Sequence, residues 1–95
     1  IANMRDGAVA GFKYFQFEGL AGIDIGFGGK CDGVVEVSTT PDFASVSARL
    51  PVRAQGRRSE SGAPIALEDG VRALYFRFRG KGAMDFYSFR FNCAG

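Results

Sequence analysis

Ten carboxylates, two cysteines and no histidine are the reactive inventory of this 95-residue chain. Without histidine there is no Ser-His-Asp or Cys-His arrangement, the common way of activating a hydroxyl or thiol nucleophile. Glycoside hydrolysis would need two opposed carboxyl groups. The candidates Asp24, Glu36 and Asp85 stand in strand-like positions with no signal that pairs them. Cys31 and Cys93 lie far apart, and two thiolates alone do not close a tetrahedral zinc site. They are either a disulfide or two thiols. The expectation is two reduced thiols, because two cysteines do not make a disulfide-dense scaffold. Gly26 to Gly29 with Lys30 has the outline of a phosphate cradle. It lacks the Gly-Lys-Ser/Thr ending, and no helical pattern follows it. No active site is legible, so the chemistry to look for is recognition.

The densest recognition signal is Gly-Val-Arg-Ala-Leu-Tyr-Phe-Arg-Phe-Arg-Gly-Lys-Gly-Ala-Met-Asp-Phe-Tyr-Ser-Phe-Arg-Phe, residues 70–91, where four arginines and a lysine interleave with aromatics. Basic and aromatic residues together are one signature of nucleic-acid binding. The charge balance argues against it: twelve basic and ten acidic residues leave a net charge of +2. The stretch also lacks the aromatic-glycine arrangement of an RNA-recognition motif. Strand geometry explains it better. Successive side chains of a strand point to opposite faces, so Leu74, Phe76 and Phe78 share one face while Tyr75, Arg77 and Arg79 share the other. The glycines then predict a turn over Gly80–Ala83, leading into a second strand from Met84 to Phe91.

The same period of two runs through the rest of the chain. Ile23, Ile25 and Phe27 alternate with Asp24 and Gly26; Val35 and Val37 alternate with Glu36 and Ser38. Val46, Ala48, Leu50 and Val52 form a third alternating run. Turn signals separate the runs at Glu18-Gly19, Gly28-Gly29, Asp32-Gly33, Pro41-Asp42, Ser61-Gly62 and Asp69-Gly70. Short strands so punctuated predict an all-β fold, an antiparallel β-sandwich of about eight strands. Its expected core is Ile23, Ile25, Val35, Val37, Leu50, Leu74, Phe76, Phe78, Phe89 and Phe91. Arg53–Ala63 is polar throughout and reads as a solvated connection.

Length and composition bound the rest. Ninety-five residues, 46% of them hydrophobic and ten of them phenylalanine, suit one domain spanning residues 1–95 with a real core. No apolar run approaches the roughly 20 residues of a membrane-spanning helix. The chain opens on Ile1-Ala2-Asn3-Met4-Arg5 rather than on an initiating Met, the look of a fragment of a larger multidomain polypeptide. A sandwich without catalytic groups binds through its loops or a concave sheet face. For sugars the working parts are exposed rings, which pack on the apolar face of a pyranose, and polar groups for its hydroxyls.

Several motifs in order carry a resemblance over about Asp6 to Asn92: Gly-Phe-Lys-Tyr-Phe-Gln-Phe (11–17), Gly33-Val34-Val35-Glu36-Val37, Leu50-Pro51-Val52, and the closing Leu-Tyr-Phe-Arg-Phe-Arg-Gly with Asp-Phe-Tyr-Ser-Phe-Arg-Phe. Together they resemble the family 6 carbohydrate-binding modules, in particular those C-terminal to bacterial family 43 glycoside hydrolases, the β-xylosidases and α-L-arabinofuranosidases. The resemblance implies a jelly-roll sandwich that is not itself an enzyme. It also implies partners: a polysaccharide or oligosaccharide of the xylan or arabinoxylan class, and the catalytic domain of the same chain, with no nucleic acid and no membrane. The compartment follows the parent enzyme, bacterial and extracellular or periplasmic.

In that family two aromatics sandwich a sugar ring among the loops, and an Asn near the last strand bonds its hydroxyls. By position Tyr14 matches the first aromatic, Asp85 falls where the Asn is expected, and Arg57 falls near the second aromatic, usually a Trp. The family's structural calcium has little support here: early acidic residues are missing and Tyr87 stands where an acidic residue often does, so no cofactor is expected. With Arg57 in place of a ring, the alternative is a structural appendage that packs on its catalytic domain without sugar affinity of its own.

Overall fold

The computed structural model describes residues 3–65, 67 and 69–93, leaving aside the side chain of Lys13. Among them there is no helix. Five strands follow one another: β1 (Val9–Phe17), β2 (Leu20–Ser38), β3 (Ala48–Gln55), β4 (Ser59–Pro64) and β5 (Gly70–Cys93). All pairings are antiparallel.

The frame is a two-stranded ribbon of β2 and β5, paired from Leu20 with Cys93 to Ser38 with Tyr75. The ribbon folds over itself. The first half of β2, Gly22 to Phe27, takes β4 as its other neighbour, while the second half, Lys30 to Val37, takes β3. β1 lines the N-terminal part of β5, Val9 with Arg77 through Phe17 with Gly70. Ring contacts then cross between the layers. Phe12 of β1 meets Phe86 and Phe89 at centroid distances of 6.1 and 5.0 Å, and Phe15 and Phe17 both meet Phe91. These rings belong to the far half of β5, so the two halves of the ribbon face each other across the core. The result is the expected all-β sandwich. Since β2 and β5 each serve both layers, five continuous strands do the work of a larger number of short ones.

Two local devices make this possible. At the bend, Gly33 of β2 lies opposite Gly80 of β5, and Gly82 lies opposite Cys31. A Cβ on Gly80 would stand 2.6 Å from the Gly33 Cα, and one on Gly82 would meet the Lys30 carbonyl, so the two backbones approach closer than any side chain permits. The turns expected at Gly80–Ala83, Gly28-Gly29 and Asp32-Gly33 are therefore not turns. The chain runs through them as strand, and the glycines serve close backbone approach. The second device is a bulge. The register passes from Gly26–Ser88 to Phe27–Phe86, leaving Tyr87 without a partner. One extra residue reverses the alternation, so Met84 and Phe86 and then Phe89 and Phe91 all turn to the core.

Eight of the ten expected core residues are 0–1% exposed, and Phe89 and Phe91 are half-buried against the same cluster. Phe27, Met84 and Phe86 join them. The polar stretch Arg53–Ala63 is corrected too. β3 extends to Gln55, a short turn occupies Gly56–Arg58, and Ser59–Pro64 is an edge strand with alternating exposure. The expected turn at Ser61-Gly62 lies within it. Glu18-Gly19, Pro41-Asp42 and Asp69-Gly70 do lie outside the strands or at a strand start, with Asp69 accepting the Gly19 amide at 3.0 Å. Cys31 is a buried free thiol and Cys93 an exposed one.

Candidate functional site

The bend brings three strand segments together. The Gly56 amide donates to the Gly29 carbonyl at 2.8 Å, which sets Arg57 beside β2 just where it turns between layers. On the other side Asp85 pairs with Gly28. Two of the three residues singled out from the sequence, Arg57 and Asp85, thus flank Gly28–Gly29. The Asp85 carboxylate accepts the Asn3 amide at 2.8 Å. Arg57 projects into solvent.

Next to them opens a cavity of about 460 Å³ lined by Lys30, Cys31, Asp32, Ala54, Gln55, Lys81 and Gly82. Its floor follows from the register. Ala54, Cys31 and Gly82 lie in one row across three strands, and their side chains are too small to continue the core to its end. Lys30, Asp32, Gln55 and Lys81 alternate with that row and are exposed on the opposite face of the layer. Burial pushes the Cys31 thiol up, and the Asp32 and Asp85 carboxylates add to the shift against a hydrogen bond to the Ala54 backbone. The thiol is therefore neutral at ordinary pH and serves as a small apolar surface.

A smaller depression of about 180 Å³ lies on the outer face of the β4–β2–β5 layer, lined by Asp24, Ile25, Gly26, Glu60, Ser88, Phe89 and Arg90. Gly22, Gly26 and Gly28 hold outward positions of β2 there, leaving Asp24 as the side chain between them. Asp24 accepts from Asn92 Nδ2 at 2.9 Å and from Arg90 at 3.4 Å. The Asn92 hydrogen bond, more than the Arg90 charge, holds its carboxyl below the usual range. At one end Tyr87 lies against Gly28, where a Cβ would come within 2.9 Å of the ring, and the Arg58 guanidinium sits 5.1 Å from the ring centroid. Sequence reasoning named Tyr87 only as a departure from a calcium site and passed over Arg58. Only the bulge turns Tyr87 outward, and no alternation pattern foretells a bulge.

Tyr14 stands elsewhere. It falls where the β1 register shifts between Phe12 and Phe15, opposite the Arg72–Leu74 segment of β5, and is 68% exposed. The contacts found at Gly28–Gly29 do not include it. The face carrying Tyr75, Arg77 and Arg79 is internally engaged. Arg77 forms a 2.9 Å ion pair with Glu36 and covers the Phe43 ring at 4.3 Å; Arg79 bonds Asp6 at 3.1 Å; Tyr75 packs against Gly11. Asp24, Glu36 and Asp85 consequently sit in three separate settings rather than as an opposed pair. Among the described residues no group of three or more His, Cys, Asp or Glu could hold a metal ion.

The architecture is an all-β sandwich open at one end, and comparison with solved structures specifies it: the fold is that of the family 6 carbohydrate-binding modules. The CsCBM6-3 module of Clostridium stercorarium, solved with cellobiose, superposes with a TM-score of 0.84 at 15% identity, covering 98% of this chain and 72% of that one. A family 43 arabinoxylan arabinofuranohydrolase of Bacillus subtilis, solved with cellotetraose, superposes with a TM-score of 0.85 at 17% identity over 98% of this chain and 21% of its own. In sequence the chain is 43% identical over 89 residues to a xylosidase/arabinosidase of Thermoclostridium stercorarium. That match takes in 94% of this chain and 19% of the relative, so the chain spans about a fifth of the relative's length. No family model matches the chain.

Proposed function

We propose that residues 1–95 form a single carbohydrate-binding module of a larger glycoside hydrolase, holding that enzyme on plant cell-wall polysaccharide of the xylan or arabinoxylan class. The observation that carries this reading is the 43% identity, across nearly the whole chain, to one fifth of a xylosidase/arabinosidase. Sugar is bound at the bend, with Arg57 and Asp85 supplying charged hydrogen bonds to hydroxyls; the Tyr14 ring, on a separate edge, offers a free face for stacking at a second position. Hydroxyls are well solvated before binding, so each hydrogen bond adds little net free energy. Affinity is accordingly weak, with Kd about 0.1–1 mM.

Titration calorimetry against xylo-oligosaccharides, arabinoxylan and β-glucan tests it. Heat is expected with the xylan-class ligands, and Arg57→Ala is expected to remove more of it than Tyr14→Ala. Silence with every ligand would sink the proposal.

One observation favours a second reading, a structural appendage packed on the catalytic domain with no independent sugar affinity. The groups a sugar would use are partly engaged already: Asp85 by the Asn3 amide, and the Tyr87 ring by Arg58. That reading expects no heat with any sugar but a loss of catalytic-domain stability when the module is removed.

A further inference from the structure

With Tyr14 on a separate edge, Arg57 and Asp85 leave the bend two charged groups and no ring. The exposed ring beside them is Tyr87. Asp85 and Tyr87 are alternate residues of β5 on its outer face, about 6.8 Å apart. Gly28, the β2 partner of Asp85, is also where the Tyr87 ring rests: a Cβ there would come within 2.9 Å of both Cε2 and Oη. Any side chain at Gly28 would push the ring away, so glycine seats it. Tyr87 is 53% exposed all the same. What lies over it is Arg58. The Gly56–Gly29 hydrogen bond that sets Arg57 beside β2 brings Arg58 with it, at the entry to β4. Its guanidinium reaches across Gly26, with Nη2 3.6 Å from where a Cβ would stand, and Cζ is 5.1 Å from the Tyr87 centroid. Atoms in full contact with a ring sit about 3.5–4.0 Å from its carbons. Arg58 is exposed, makes no ion pair among the described residues, and holds the ring loosely.

We propose that Tyr87 is the stacking ring of the sugar site at the bend and that Arg58 is its cover, an inference that rests on the carbohydrate-binding reading and assigns that site its ring. A pyranose laid on Tyr87 has Asp85 two residues along the same face and Arg57 on the adjoining turn. Among the described residues Asp85 engages only Oδ1, with the Asn3 amide, so Oδ2 is open to a hydroxyl. Sugar and guanidinium compete for one surface, because the C–H face of a pyranose and a cation both seek the negative face of a π system. In the free chain the cation holds it. Giving it up costs little, since Arg58 is already in solvent and a cation–π contact at an exposed site is weak. The cover lowers apparent affinity by the fraction of molecules in which the ring is occupied.

The chain has three tyrosines and no tryptophan, so its near-ultraviolet absorbance reports on few rings. Xylohexaose is titrated into the 95-residue chain and followed by calorimetry and by tyrosine difference absorbance. Every protein in the series carries Tyr14→Phe, which keeps that ring but silences its phenol. Tyr87→Ala is expected to weaken binding about tenfold. Tyr87→Phe keeps the platform, so it should keep the heat and lose the difference band, whereas Tyr75→Phe, on the other layer, should keep both. A role for Tyr87 in folding alone would not separate heat from absorbance. Arg58→Gln uncovers the ring and is expected to tighten binding about two- to fivefold, the worth of an exposed cation–π contact. Undiminished binding by Tyr87→Ala, or a difference band that survives Tyr87→Phe, overturns the inference and leaves the carbohydrate-binding reading standing. Weaker binding by Arg58→Gln overturns the cover and makes Arg58 a sugar contact. No heat from the parent with xylohexaose, arabinoxylan or β-glucan overturns both.

Discussion

The two ends of the folded ribbon are built on opposite plans. At one end Phe12, Phe15, Phe76, Phe86, Phe89 and Phe91 meet edge to face, tilted and, for Phe12 with Phe86, stacked, with centroids 5.0–6.1 Å apart. At the bend β2, β3 and β5 carry cysteine, alanine and glycine in one row, and the core thins to a cavity floor. Large rings fill space and fix the layer separation. Small residues allow backbones to touch and leave room for something else. Stability thus resides at the end that the candidate site does not occupy, and loosely filled structure is kept for the end that does.

The contrast can be broken from either side. Phe76 is fully buried and in ring contact with Phe12, Phe86 and Phe89, so Phe76→Ala is expected to cost about 3–5 kcal/mol, read from the urea midpoint. A loss below 1 kcal/mol would mean that the aromatic end does not dominate stability. Gly82→Ala attacks the bend instead. Its φ of +81° and the Lys30 carbonyl beside it make any side chain strained, at a cost of about 1–3 kcal/mol in the same measurement. A variant as stable as the parent would show that the two strands can separate there freely.

The smallest effect is a pH dependence. Asp24 has its folded pKa held below the ordinary 3.8, chiefly by Asn92, so its stabilising contribution is full above the unfolded value and lost as pH falls through the folded one. The stability difference between the parent and Asp24→Asn should be flat above about pH 5 and shrink below it. A difference that grew on acidification would reverse the assignment.

Much of the interior was legible because burial on one face of a strand forces a period of two, and Ile23, Val35, Leu50 and Phe76 obey it. Three features escaped for physical reasons. Glycine pairs read as turns because most serve that purpose, whereas Gly33 and Gly80 mark a backbone contact made only when the ribbon folds. Ser59–Pro64 hides as a strand because an edge strand need not alternate apolar residues. Tyr87 turns outward through a bulge, a relation between two strands that neither states alone. Of the candidate site, the placement of Arg57 and Asp85 on either side of Gly28–Gly29 depends on the Gly56–Gly29 hydrogen bond and the β2–β5 register, invisible in one dimension. Tyr14 illustrates the opposite limit: position in a motif assigns it a role, while the sheet places it on a separate edge.

The edges themselves bear on how such a domain stays apart from its copies. β1, β3 and β4 each pair on one side, so each presents a row of backbone groups to solvent. Each row is interrupted. The register of β1 slips between Phe12 and Phe15, β3 carries Pro51 between Arg49 and Arg53, and β4 contains Gly62 and ends on Pro64. A proline offers no amide, a slipped register offers its amides out of step, and charged neighbours repel their own kind. A domain whose regular structure, among the described residues, is all strand thereby blunts its open edges as templates for fibrous self-assembly.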